Sequence, residues 1–263
     1  MSAAGGLHQR DRVAWGLRGP CQNSLLGALP PDEFEALARW LEPVMLTIRD
    51  TLYGPDAPAA WAWFPSTSII SLRQMLDGRP SSEVALVGRE GMVGLSAVLG
   101  DLPSSRHACV QCAGQAWRLP ADCLRERFDA SPALRSLLLR HTQGLMAQIA
   151  QNGVCYRLHS VEQQLCRRLL MCMDRLGIPE IPVTHESLAG ALGVRREAVT
   201  LAACRLLADG LVQGGRGRIT VLDRTRLEQR ACECYATLRE EARRLAGPAT
   251  GVDRPRSGAE SYG

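Results

Sequence analysis

Thr184 to Val221 reads T-H-E-S-L-A-G-A-L-G-V-R-R-E-A-V-T-L-A-A-C-R-L-L-A-D-G-L-V-Q-G-G-R-G-R-I-T-V. Leu188, Ala189 and Leu192 recur at helical spacing, and Thr184 suits the N-cap of that helix. Val199, Ala202, Ala203 and Leu206 form a second apolar stripe, which Gly210 stops. Between them stand Gly193, Val194 and Arg195, and glycine accepts the positive φ that a tight turn demands. Two helices joined in this way, the second opening on basic residues, make a helix-turn-helix. Leu211 to Gln213 and Ile219 to Val221 then read as strands around a tip of Gly214, Gly215, Arg216, Gly217 and Arg218. Helix, turn, helix and basic hairpin together predict a winged helix-turn-helix.

That arrangement points to double-stranded DNA. A recognition helix near 195–207 would enter the major groove by its N-terminal end. Arg195 and Arg196 stand there, with Glu197 and Thr200 following. An arginine fork fits guanine O6 and N7, and a glutamate accepts from cytosine N4. Arg216 and Arg218 on the hairpin would hold phosphates, which position a protein without reading sequence. The plain alternative is a small helical subdomain whose charged face is merely solvated.

These residues resemble the C-terminal domain of the Crp/Fnr family of bacterial transcription regulators, and the resemblance runs from about Leu25 to Leu245. Arg196 and Glu197 match the family's recognition-helix pattern. Thr200 stands where serine or glycine is usual, and Leu201 where a second arginine is usual, so a different operator sequence is expected. The resemblance implies a homodimer, a pseudo-palindromic DNA site, RNA polymerase as a partner and a small-molecule effector bound by an N-terminal domain. The expected class is α+β: a β jelly roll (double-stranded β-helix), a long dimerisation helix and the winged helix-turn-helix. The expected boundaries are a mobile arm over 1–22, a cyclic-nucleotide-binding-like domain over 23–130, the dimerisation helix over 131–158, the DNA-binding domain over 159–246 and a disordered tail over 247–263.

Composition agrees with a globular chain of about two domains: 263 residues, 46% hydrophobic and 22% charged, with a net charge of +4. So small a net charge means that any basic character must be local. All 31 basic residues are arginine. No apolar run reaches membrane-span length and no signal core precedes Arg18, so a cytoplasmic protein with no membrane partner is expected. Ten cysteines are many for a reducing compartment, where a disulfide framework is not expected. Most fall at apolar positions, where cysteine acts as a small hydrophobe.

Upstream, Asn23 and Ser24 cap a short helix, and Pro30 and Pro31 open another with Phe34, Leu37, Ala38 and Leu41 on its stripe. The period then changes to two. Val44–Ile48, Trp61–Pro65, Ser68–Met75, Ser82–Val87 and Ala108–Leu119 read as strands separated by glycine- and proline-rich turns. Val87 to Gly94, V-G-R-E-G-M-V-G, resembles one branch of the family. The resemblance locates an effector pocket at Gly94, Leu95, Arg106 and His107. Gly94 and Arg106 match the pocket glycine and phosphate-holding arginine, but Leu95 replaces the glutamate that accepts from ribose and His107 replaces a hydroxyl residue. A leucine accepts no hydrogen bond, so weak or absent cyclic-AMP binding is expected.

The sequence names no cofactor, no metal ligand set and no catalytic residue. Cys109-Val110-Gln111-Cys112 is a lone CxxC whose ends face opposite ways on a strand, though His107 and Cys109 share a face. A haem- or thiol-based redox sensor therefore stands as an alternative effector reading, and a signalling module without DNA as another. An enzyme reading lacks any nucleophile motif. A short helix is expected from Pro120 to Phe128. Pro132 starts a long one whose stripe of Leu134, Leu137, Leu138, His141, Leu145, Ile149 and Asn152 is expected to be the dimer seam, with Gln148 and Asn152 setting register. Ser160 to Gln163 is a capping box, so a hinge falls near Leu158 and His159. A single last helix is expected from Asp223 to about Leu245, with Cys232 and Cys234 inside it and pointing apart.

Overall fold

The structure, a computed structural model, describes residues 19–55, 59–76, 79–100 and 106–246. Most of the expected arm and all of the expected tail lie outside these residues. Asn23 anchors the start: its side chain donates to the carbonyls of Pro65 and Gly91 at 2.9 and 2.7 Å and accepts from Leu25 and Leu26 at the start of helix α1, Ser24–Gly27. Helix α2, Pro31–Ala38, follows.

Seven strands then build the roll: β1 Glu42–Leu46, β2 Thr51–Tyr53, β3 Trp61–Pro65, β4 Ile69–Leu76, β5 Arg79–Val87, β6 Arg106–Cys112 and β7 Gly114–Pro120, with the short helix α3, Ser96–Leu99, between β5 and β6. They pair antiparallel in two sheets, ordered β1-β7-β3 and β2-β6-β4-β5. Leu46, Trp63, Ile70, Leu72, Val87 and Val110 fill the space between. The strand expected over Ala108–Leu119 is two strands in different sheets. The chain crosses at Ala113, and Gly114 lies so close to Thr67 that a Cβ there would stand 2.7 Å from its backbone. Period-two alternation continues through such a crossing, which hides it in the sequence. Strand β2 was also missed; it is three residues long and too short to alternate visibly.

Helix α4, Ala121–Ala130, leads into α5, Pro132–Leu158, capped by Ser131, whose hydroxyl accepts from Leu134 N–H. The expected seam of α5 proves to be intramolecular. Leu134, Leu138 and Leu145 are buried against the roll of the same chain. Gln148 donates to the Leu86 carbonyl at 3.2 Å and accepts from the Leu86 N–H at 2.6 Å, while Asn152 donates to the Val84 carbonyl at 2.8 Å. The physical reason is that β5 ends its sheet, so its outer backbone groups need partners, and the amides of α5 supply them. The opposite face of α5 carries the exposed side chains of Leu139, Met146, Val154 and Leu158.

The C-terminal domain starts at the expected capping box. Ser160 and Gln163 satisfy each other at the start of α6, Val161–Leu176, and Gly177 closes that helix at φ 72°. Then come β8 Glu180–Ile181, α7 His185–Leu192, α8 Arg196–Ala208, β9 Val212–Gly215 and β10 Arg218–Val221. Strand β8 completes a small sheet ordered β8-β10-β9. Leu169, Leu188, Leu192, Val199, Leu206 and Ile219 pack as one core. The expected last helix is broken: α9 runs Arg224–Arg230 and α10 runs Cys234–Ala246. Cys232 therefore precedes a helix instead of lying within one. Helical spacing of apolar residues on both sides conceals a three-residue interruption. Among the described residues no helix is long and apolar enough to cross a membrane.

Candidate nucleic-acid interface

Thr184 caps α7 by a reciprocal pair: its hydroxyl accepts from Ser187 N–H at 3.0 Å, and its own N–H donates to Ser187 Oγ at 3.1 Å. Gly193 takes φ 68° and ends that helix, and the chain turns straight into α8. Arg195 occupies the N-cap of α8 without any side-chain cap, which leaves the first N–H groups of the helix directed outward. A helix terminus of this kind favours anions such as phosphate. Arg195, Arg196 and Glu197 are all exposed there. Thr200 is half-buried, and its hydroxyl lies 3.0 Å from His185 Nδ1. It ties the two helices together, so its hydroxyl is already engaged.

The hairpin is tighter than expected. Arg218 pairs with Gly215, so the strands extend to those residues and only Arg216 and Gly217 turn. Gly217, the second turn residue, has φ 72°, which glycine adopts freely and a side chain would resist. Arg216 and Arg218 are exposed at the end of this wing. Arg218 Nε stands 3.6 Å from Glu180 Oε2 with both side chains more than half exposed, a pairing worth little in water. Arg196, Cys204, Arg218 and the glycines of the wing line one groove of about 630 Å³, and Arg49 from the β1–β2 turn reaches its edge. All seven expected DNA residues thus fall at the starts of α7 and α8 or on the wing. Leu201 and Cys204 are also exposed on α8, at spacings of four and seven from Glu197. Leu201 stands out in the sequence as a departure from the family pattern, and continuing the helical period past it would have identified Cys204 as well.

The end of α7 and the turn into α8 lie against the roll. A Cβ on Gly193 would come 3.0 Å from Ser82 Cβ in β5, and one on Gly190 3.7 Å from Arg73 of β4.

The expected effector residues separate. Gly94 has φ 104°, and a Cβ there would stand 2.6 Å from the Trp61 carbonyl, so only glycine fits. Leu95 begins α3 and packs its apolar side chain into the cores on both sides of it. Arg106 opens β6; its side chain and residues 101–105 lie outside the description. His107 Nε2 is 3.1 Å from Thr51 Oγ1, and burial, reinforced by the Arg73 charge, pushes its pKa down. By strand alternation His107 lies on the opposite face of β6 from Ala108 and Val110, whose cluster receives Leu95. Burial raises the pKa of Cys109, and of Cys112 strongly, which disfavours the thiolate at both.

A β-roll joined by one long helix to a winged helix-turn-helix defines a class of two-domain DNA-binding regulators. Residues 163–230 match the model of the Crp-like helix-turn-helix domain. The chain is 24% identical over 192 residues to the global nitrogen regulator of Synechococcus elongatus, covering 68% of this chain and 85% of that one. In structure it is similar to a transcriptional regulator of the Crp/Fnr family from Eubacterium rectale, with TM-score 0.61, 18% identity and coverage of 80% of this chain and 98% of that one. It is similar too to the c-di-GMP responsive global regulator CLP of Xanthomonas campestris, with TM-score 0.60, 14% identity and coverage of 74% and 100%. Residues 163–230 thus match a Crp-like helix-turn-helix domain, and the fold of the described residues is similar to that of Crp/Fnr-family regulators.

Proposed function

We propose that the chain acts as a homodimer that reads a pseudo-palindromic operator, with α8 in the major groove and the β9–β10 wing on phosphates. The supporting observation is the exposed group of Arg195, Arg196 and Glu197 at an uncapped helix start, of which Arg196 shares a groove with Arg218 of the wing. Arg196 contacts a base edge, and Arg216 and Arg218 neutralise backbone charge. Dimerisation runs through the exposed face of α5, where Leu139, Met146, Val154 and Leu158 lie uncovered. Two copies paired there would present recognition helices to half-sites about 34 Å apart.

The effector acts at the roll and is not cyclic AMP. Leu95 offers no acceptor where a ribose hydroxyl would bind, and His107 faces away from it. With α7 and the turn into α8 held against β4 and β5, the effector would favour the form in which they swing clear. Selection of duplexes from a random pool by the full-length protein tests the reading. Enrichment of a two-half-site sequence with that spacing supports it; a pool that stays random after repeated selection contradicts it.

A further inference from the structure

The break between α9 and α10 brings four ligand-type side chains together from three parts of the chain. Cys155 lies on the last turn of α5, His159 in the junction to α6, Cys232 in the break and Cys234 at the start of α10. Cys155 Sγ and Cys232 Sγ are 3.5 Å apart, as are Cys234 Sγ and His159 Nδ1, and the four ligand atoms all lie within 4.8 Å of one another. The three cysteines are buried. We propose that Cys155, His159, Cys232 and Cys234 form a tetrahedral site for a single zinc-class divalent ion, which clamps the hinge between the long helix and the DNA-binding domain.

Dimensions favour one ion. Zinc–sulfur bonds of about 2.3 Å put sulfurs in a tetrahedron about 3.8 Å apart, close to the separations found. An iron–sulfur cluster holds its thiolates around a larger body. Three thiolates and one imidazole are also a closed structural set, with no position left for water or substrate.

The surroundings carry the second argument. His159 directs Nδ1 at the cysteines and places Nε2 3.1 Å from Glu233 Oε1. A carboxylate behind a histidine is the usual support of a zinc ligand, since it fixes the tautomer and raises ligand basicity. Gln151 Nε2 donates to Cys234 Sγ at 3.0 Å, which partly offsets charge on a thiolate. Gln164 Nε2 donates to the carbonyl of His159 at 2.8 Å and to that of Cys155 at 3.4 Å, so the hinge loop is already shaped. A cluster of small hydrophobes would need neither the carboxylate nor the amide.

Binding converts three thiols to thiolates and releases their protons to solvent, so affinity rises with pH. The ion would join Cys155, on the helix that packs on the roll, to Cys232 and Cys234 beyond the wing. It would thus limit how far the domain can swing.

The test uses the full-length protein, purified under reducing conditions without chelators, and its metal content. One zinc per chain is expected, and replacement by cobalt should give thiolate-to-cobalt charge-transfer absorption. Cys155→Ser and Cys232→Ser should lose the ion, whereas Cys21→Ser, exposed and remote, should keep it. Because a buried serine can unfold the protein, Glu233→Gln carries the test independently: its side chain is 76% exposed, and the variant should weaken zinc about 10–100-fold in chelator competition. A protein that binds no zinc, a Cys155–Cys232 disulfide in its place, a Cys155→Ser variant that keeps its zinc, or Glu233→Gln with unchanged affinity each overturns the proposal.

Discussion

Leu201 is exposed on α8 four residues after Glu197, where the family pattern carries an arginine. Leucine cannot form a fork with guanine, but it can pack on the methyl group of thymine. Replacing that thymine by uracil in the operator should weaken the native protein and leave Leu201→Ala indifferent. Equal losses in both would remove Leu201 from the reading face. His141 makes a different prediction. Its Nε2 lies 3.2 Å from Met92 N and 2.9 Å from Met92 O, and burial lowers its pKa. The unfolded chain, with an ordinary histidine pKa near 6.5, then binds a proton more readily than the folded one. Stability from this residue is full above about pH 6.5 and falls as pH drops below it. Urea midpoints measured from pH 7.5 down to 5.5 should decline, with a shallower slope in His141→Gln; an identical slope would contradict this. At this scale the sequence was most legible where chemistry is local. The Thr184 cap, Gly193 and the Arg195–Arg196 pair follow from neighbours a few residues away. The partners of His141 and Cys155 lie 49 and 77 positions away, and no local pattern encodes them.

Helix α5 shows why a stripe alone does not assign an interface. Its inward face matches the expected seam, yet Gln148 and Asn152 on that face satisfy the outer edge of β5 in the same chain. Periodicity marks the faces of a helix without saying which covers which partner. The outward face, with Met146 67% exposed, is the one left for a second copy. Met146→Glu should convert the dimer to monomer at micromolar concentration without lowering the thermal midpoint of the monomer fold; sedimentation decides it. Gln148→Leu should do the reverse. It orphans the Leu86 N–H, while the carbonyl keeps its bond from Arg175 Nη2, so it costs about 1–3 kcal/mol and leaves the association state alone. Loss of dimer in Gln148→Leu but not in Met146→Glu would restore the seam first expected. The broken last helix teaches the same lesson: leucines on both sides of residues 231–233 keep helical spacing, and only the packing of α10 along α5 reveals the interruption.

The two domains meet through a buried charge. Arg168 of α6 inserts between Glu83 of β5 and Gln111 of β6, and burial pulls its pKa down to about 10, still cationic at neutral pH. Removing one member strands the other, so Arg168→Met should cost about 3–5 kcal/mol in chemical unfolding. Arg168→Met with Glu83→Leu should recover most of that loss; a double variant as unstable as the single would show that packing, not charge, dominates. Arg168 is buried on α6 together with Gln164 and Arg167, among leucines and cysteines, and only the assembled domains reveal its partners. The central claim concerns a different part of that domain, where α8 is proposed to read bases and the wing to hold phosphates. Its most direct measurement is binding of the full-length protein to the selected operator and to random duplexes over a range of salt concentrations. Arg196→Ala should lose about 1–3 kcal/mol per half-site on the operator alone and relax one base pair. Arg216→Ala should weaken both duplexes alike and lower the salt slope by about one unit per half-site. If Arg196→Ala keeps full discrimination while Arg216→Ala abolishes it, helix α8 is not the reader.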